Sequence, residues 1–259
     1  MMNKHVLSSE EITFFKENGY LIKRGILDPA LMAQAREAMW TGAPAQLQRD
    51  NPDSWIGPFQ EKSDDPDSVR YEFTWKYRAP GREAWMIDLL PKNPWVWAIA
   101  EQLLGQGTLP EPERVRGIYA ILPEGDAPER PYRCHVDQHP FHLGVVAYLD
   151  TVPPHGGGFT VWPGSHRLFF PTFATQYTFT PTDQTQAVLA QVNQQPYVDC
   201  YGDAGDVVFW HHRLGHSAGH NRSRQIRQAV LYDFKKRDLA ERQDMATPAA
   251  LWTDWAIEP

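Results

Sequence analysis

With 259 residues, 42% of them hydrophobic and 22% charged, the chain has enough apolar surface for one substantial core and does not have the composition of a disordered protein. Its net charge of −7 excludes a dominant electrostatic grip on nucleic acid or anionic lipid, which need clustered positive charge; it favours a small-molecule partner and leaves the oligomeric state open. No run approaches the ~20 apolar residues that cross a membrane, the opening MMNKHVLSSEE lacks the apolar stretch of a secretory signal, and Cys134 and Cys200 suit neither a disulfide framework nor a zinc cluster, so a cytoplasmic protein is expected.

Taken in chain order, Ser8 and Glu11 form a capping-box pattern ahead of Ile12 and Phe15, and Asn18-Gly19 supplies a stop. Tyr20-Leu21-Ile22 reads as a short strand. A second helix starts at Asp28 as N-cap with Pro29 in its first turn and runs through Leu31, Ala35 and Met39. Residues 41–92 have weak periodicity, frequent Pro and Asp, and Trp55, Trp75 and Trp85; they read as a long excursion or lid. A third helix has Asn93 as cap, Pro94 in its first turn, Val96, Ile99 and Leu103 on one face, and Gly105 as terminator. From about residue 115 the pattern changes to short apolar runs between Gly, Pro and Asp: Gly117–Leu122, Gly144–Leu149, Phe159–Trp162, Tyr197–Tyr201, Val207–Trp210 and Gln228–Phe234. Strands without intervening helical periods predict a sandwich or jelly roll with helices bracing it, in one domain spanning residues 1–259.

Two segments carry chemistry. In His135-Val136-Asp137, side chains two apart on a strand project to one side, so an imidazole and a carboxylate can meet one metal ion. Two histidines and one carboxylate occupy one face of an octahedral iron(II) and leave three positions open, as oxygen activation requires. The segment Gly205 to Asn221 offers the second histidine, and spacing leaves His211, His212, His216 and His220 all open. Arg227 follows in the next strand; a buried arginine needs a carboxylate partner, and its planar fork suits a dicarboxylate such as 2-oxoglutarate, whereas an ordinary ion pair is the plainer alternative.

At several separated places the chain resembles the phytanoyl-CoA dioxygenase family. These are Leu7-Ser8-Ser9-Glu10-Glu11 through Gly19-Tyr20-Leu21, His135-Val136-Asp137, Gly158-Phe159-Thr160-Val161-Trp162-Pro163-Gly164-Ser165-His166, and Gly205-Asp206 followed by His216 and Arg227. In that family the distal histidine precedes the cosubstrate arginine by eleven positions, as His216 precedes Arg227 here, and Asn221 and Ser223 stand where the family has Asn-x-Ser. Residues 41–92 and 168–196 contribute little to the likeness. The resemblance implies a double-stranded β-helix, a mainly β jelly roll with flanking helices, holding Fe(II) through His135, Asp137 and His216 and using 2-oxoglutarate and O2 as cosubstrates. It implies Arg227 as the anchor of 2-oxoglutarate and puts Thr160 and Trp162 in a strand that lines the cosubstrate pocket, with Tyr119 as a further contact. The family often has Ser two positions after the distal histidine; Ala218 stands there, which assigns the missing hydrogen bond to Ser217 or Thr160.

The implied reaction is hydroxylation of an aliphatic C–H bond of a small metabolite or natural-product intermediate, with release of succinate and CO2. Desaturation or cyclisation on the same scaffold, or a non-catalytic jelly-roll binding protein, are the alternatives. Asp137 argues against halogenation, because family-like halogenases lose that carboxylate to open a site for chloride. His139 and His142 are expected to flank the site and His166 to brace a Pro-Gly turn. Arg130 and Arg133, and the group Arg70, Lys76, Arg78 and Arg82 in the lid, either solvate a surface or attract an anionic substrate.

Overall fold

The computed structural model describes residues 6–257. The helices expected near the N-terminus form where their caps place them. Helix α1 (Ser9–Asn18) has the full capping box between Ser8 and Glu11 and ends on Gly19, whose φ of 78° a side chain would resist. Helix α2 (Pro29–Thr41) is capped by Asp28, which accepts from the Ala30 and Leu31 amides. Helix α3 (Ala84–Leu89) precedes α4 (Pro94–Leu104), whose cap Asn93 also donates to the Ile26 carbonyl. Helices α5 (Ser165–Phe169), α6 (Asp183–Val192) and α7 (Leu239–Arg242) come later, α6 with a capping box of Thr182 and Thr185.

Among the described residues, ten strands build two antiparallel sheets. They are β1 (Tyr20–Lys23), β2 (Ser68–Tyr71), β3 (Thr74–Tyr77), β4 (Gly117–Ile121), β5 (Leu143–Tyr148), β6 (Phe159–Val161), β7 (Val198–Cys200), β8 (Val207–His211), β9 (His216–Ala218) and β10 (Arg227–Phe234). The larger sheet runs β1-β8-β5-β10-β4-β3-β2 and the smaller β7-β6-β9. An isolated bridge between His135 and His216 prolongs the smaller sheet toward the His-x-Asp segment. The result is the jelly roll expected, with α1 to α4 against the larger sheet and α5 and α6 over the outer face of the smaller one.

Because side chains alternate along each strand, every central strand feeds two cores. Trp75, Ile118, Ala120, Val145, Phe209 and Val230 point to the helical side and pack with Met32, Met39, Met86, Ile99 and Leu103. Tyr119, Val146, Tyr148, Val208, Trp210 and Ala229 point the other way, to meet Phe159 and Val161 of the smaller sheet. The Tyr148 hydroxyl ties the sheets together, donating to the Cys200 carbonyl and accepting from the Phe159 amide. Gly144 lies opposite Trp210, and a β-carbon there would stand 2.2 Å from the indole, so the close approach requires glycine. A third cluster, with Val136, Trp162, Phe169, Phe173 and Val192, covers the outer face of the smaller sheet.

The stretch 41–92 departs from the expectation of an irregular lid. It contains β2, β3 and α3, and β3 pairs with β4 as part of the larger sheet. Trp75 is fully buried on the helical side and donates to the Ser68 hydroxyl. Its place is core, because Trp75 sits opposite Ala120 while the neighbouring Lys76 sits opposite Tyr119. No helix of the described residues is long and apolar enough to cross a membrane.

Candidate active site

The His135 amide donates to the His216 carbonyl at 3.0 Å and the His216 amide to the His135 carbonyl at 2.9 Å. This bridge fixes the His-x-Asp segment beside β9 in an extended form, so Val136 enters the outer cluster while His135 and Asp137 share the opposite side. One ligand atom each from His135, Asp137 and His216 then lies within 4.8 Å of the others. Nε2 of His216 stands 3.6 Å from Oδ2 of Asp137, and the two imidazole rings are 4.5 Å apart. The Leu214 carbonyl lies 2.9 Å from Nδ1 of His216; a carbonyl can only accept, so Nδ1 carries a proton, and Nε2 faces Asp137. Phe159 stacks on the same ring at 5.2 Å and fixes its plane.

The electrostatics suit a cation. Burial works to raise the Asp137 carboxyl, but the neighbouring His216 and Arg116 charges outweigh it and hold the group below the ordinary carboxylate range. Its Oδ2 is buried and has no hydrogen-bond partner among the described residues. At the mouth, desolvation and then the charge of His216 push the His135 imidazole down to about 4, so it is neutral, the form in which histidine binds metal. The donor set therefore fits a divalent metal: two imidazoles and one carboxylate converge.

Arg227 lies on the inner face of β10, in register with Ile121 of β4, and is 6% exposed. It donates to the carbonyls of Gly157 (2.8 Å) and Tyr119 (3.1 Å), and among the described residues no carboxylate pairs with it. Desolvation pushes its pKa down to about 10, against the pull of Tyr148, so it remains a cation at neutral pH. Tyr119 shares this inner face, opposite Ala229.

The other expected pocket residues are not brought to the metal ligands. In the pairing of β6 with β9, Val161 opposes His216 and both point inward, while Thr160 opposes Ser217 one residue along and both point outward. Trp162 follows Thr160's side into the outer cluster, 1% exposed. Of the histidines that spacing left open, His211 stacks on Trp255 at 4.9 Å on the helical side, His212 packs against Tyr177, and His220 pairs with Glu124 at 2.8 Å. His142 pairs with Asp254, and His166 braces α1 through the Lys16 carbonyl. Asp206 is structural, bound by Arg24 and the Gly25 amide.

Burial lowers the pKa of His142, His166, His211 and His212, that of His166 to about 3, with Arg213 adding to the effect on the last three. Their folded values lie below the unfolded 6.5, so the unfolded chain takes up protons that the folded chain does not, and stability falls as pH drops below about 6.5. For His166 the window runs from about 6.5 down to about 3. The urea unfolding midpoint is expected to decline steadily from pH 7 to pH 5; an unchanged midpoint would contradict neutral burial of these rings.

Sequence reasoning missed Arg116. Its guanidinium lies 3.8 Å from Asp137 Oδ2 and 3.4 Å from Asp233 Oδ1, and His139 reaches Asp233 Oδ2 at 2.9 Å. Burial alone would lower the Arg116 pKa, but the two carboxylates raise it, so it stays charged and braces the metal-facing carboxylate. An Arg two positions before an apolar run gives no local sign of this; only the register of β4 against β10 does.

The phytanoyl-CoA dioxygenase family model matches residues 15–229. No curated protein is a match to the sequence. Among solved structures, EctD from S. alaskensis with bound Fe is similar over 96% of this chain and 83% of its own, with a TM-score of 0.60 and 17% identity. EctD with 2-oxoglutarate and 5-hydroxyectoine is similar over 92% of this chain and 79% of its own, at TM-score 0.59 and 18% identity. SnoK, the non-heme alpha-ketoglutarate-dependent carbocyclase from nogalamycin biosynthesis, is similar over 95% of each chain, at TM-score 0.54 and 22% identity. At these identities the likeness is one of fold.

Proposed function

The chain belongs to the phytanoyl-CoA dioxygenase family and is an oxygenase dependent on iron(II) and 2-oxoglutarate; from that premise we propose that His135, Asp137 and His216 hold the iron, that Arg227 receives the far carboxylate of 2-oxoglutarate, and that the enzyme hydroxylates an aliphatic C–H bond of a small metabolite. The observation that carries this reading is the convergence of three ligand atoms within 4.8 Å from segments far apart in the chain. Bound there, iron supplies the activation of O2, driven by decarboxylation of 2-oxoglutarate to succinate and CO2, that an unactivated C–H bond requires.

The residues do the rest. His135, Asp137 and His216 would hold the metal through two imidazoles and one carboxylate, a ligand set that would support the activation of O2. Arg227, already desolvated and without a carboxylate, receives a dicarboxylate in a planar fork; its two carbonyl contacts hold the guanidinium in place beforehand. Arg116 restrains Asp137 at the same oxygen that faces His216, and the aromatic interior of Phe159, Tyr148 and Trp210 keeps water from the space between the sheets. The similar EctD carries bound Fe in one structure and 2-oxoglutarate with 5-hydroxyectoine in another, which agrees with this chemistry on this fold.

Succinate release from 2-oxoglutarate by the purified chain with added iron(II) tests the assignment. Stimulation by a metabolite, with a product heavier by one oxygen atom, is expected. Loss of two hydrogen atoms in the product would replace hydroxylation by desaturation or ring closure, and absence of succinate would remove the oxygenase reading.

A further inference from the structure

Beside Asp137 opens a cleft of about 350 Å³ lined by Arg78, Arg114, Arg116, Tyr119, His139 and Asp233. In a chain of net charge −7, this cleft gathers cations. Most are compensated. Arg116 is paired with Asp233 and Asp137, and Arg114 lies 3.9 Å from Asp67. Lys76 and Arg78 are different: both are half-buried, and among the described residues neither has a carboxylate within 4 Å.

Lys76 belongs to the part of β3 that faces inward. It stands opposite Tyr119 on β4, and Tyr119 stands opposite Ala229 on β10, so the three form one row across the inner face of the larger sheet. At a strand spacing of about 4.8 Å, Lys76 is roughly 10 Å from β10, the strand that carries Arg227. Its ammonium lies 5.2 Å from the ring centre of Tyr71 and 5.6 Å from that of Tyr119. Ring faces attract a cation without neutralising it, so the positive charge is held in position and left available. On its other side Tyr119 meets Arg116 at 5.7 Å, and Arg116 touches Asp137. A line of contacts thus runs from the metal-facing carboxylate through Arg116 and Tyr119 to the ammonium of Lys76, while Arg78 lines the cleft that Arg116 and Tyr119 share.

We propose that Lys76 and Arg78 receive an anionic group of the substrate, a carboxylate or a phosphate, and that this fixes which C–H bond is presented to the metal site. The inference rests on the oxygenase reading and adds the substrate class. A half-buried cation without a carboxylate is free to take an anionic ligand, and here Arg78 lines the cleft while Lys76 adjoins it through the ring of Tyr119. Arg227 does not compete for the role: it lies deeper, on β10, and is assigned to the cosubstrate.

The test is a binding measurement on the full chain loaded with iron(II) and 2-oxoglutarate under nitrogen, by titration calorimetry. The probes are hexanoate and benzoate against their methyl esters, and hexyl phosphate against hexanol, so that the carboxylate and phosphate arms are read separately. One acid is expected to bind about tenfold or more tightly than its neutral partner, as a charge-assisted contact gives. The preference should collapse in the Lys76→Gln/Arg78→Gln protein and persist in Lys76→Arg, with thermal melting used to confirm that each variant is folded. If every acid binds no better than its neutral partner, if the preference survives the double substitution, or if that substitution weakens 2-oxoglutarate instead, the proposal is overturned. Failure of the wild-type chain to release succinate in air would strike the oxygenase reading, while acid preference under nitrogen is measured without turnover.

Discussion

Asp137→Ala is expected to lower the affinity for ferrous iron by at least ~10–100-fold, the loss that changes even one layer further out produce, and to abolish succinate release. Asp137 contributes the only carboxylate of the converging set and its Oδ2 faces the cluster without a hydrogen-bond donor among the described residues. Removing it leaves two imidazoles and no anion to balance a dication. Iron content after gel filtration and the weak visible charge-transfer absorption of the iron and 2-oxoglutarate complex under nitrogen check this. Wild-type iron affinity in the variant would mean that the metal is held elsewhere. His220→Gln serves as the contrast, since that ring is paired with Glu124 away from the cluster and its loss should leave iron content unchanged.

Arg227→Ala is expected to raise the Michaelis constant for 2-oxoglutarate by two to three orders of magnitude with little change in iron content. The far carboxylate would enter a desolvated space with no counter-charge, at a cost on the order of 3–5 kcal/mol, and each 1.4 kcal/mol is a factor of ten. Arg227→Lys should recover part of the loss, because it restores the charge and not the planar fork. Dependence on 2-oxoglutarate that stays at the wild-type level would remove Arg227 from the cosubstrate's anchor. The two substitutions separate the roles: one empties the metal site, the other spares it.

The different fates of the expected residues follow from how far each signal reaches. Helix caps are local: Ser8 with Glu11, Asp28 with Pro29 and Asn93 with Pro94 act within one turn, and each starts its helix where the residues indicate. The apolar runs of β4, β5, β6, β7, β8 and β10 are legible for the same reason, to within about a residue or two at their ends. The hairpin of β2 and β3 escaped notice because its two-residue turn, Glu72-Phe73, has neither Gly nor Asn although Glu72 adopts a φ of 46°.

The sequence by itself determined that this is a helix-braced jelly roll, that His135 and Asp137 fall on one side of one segment, and that a histidine and an arginine from the last third of the chain belong with them. Spacing left four histidines open and the family resemblance pointed to His216; only the tertiary structure decided which face each side chain takes. His216 rather than His211 or His212 meets Asp137 because β9 bridges to residue 135, whereas His211 continues β8 toward the helices. Thr160 and Ser217 turn outward because each lies one residue out of phase with Val161 and His216, and Arg116 finds Asp137 through contacts that join β4, β10 and the His-x-Asp segment. Caps and alternation are properties of neighbours along the chain; the facing of a side chain toward a site depends on register between strands far apart in sequence, where a shift of one residue exchanges inside for outside.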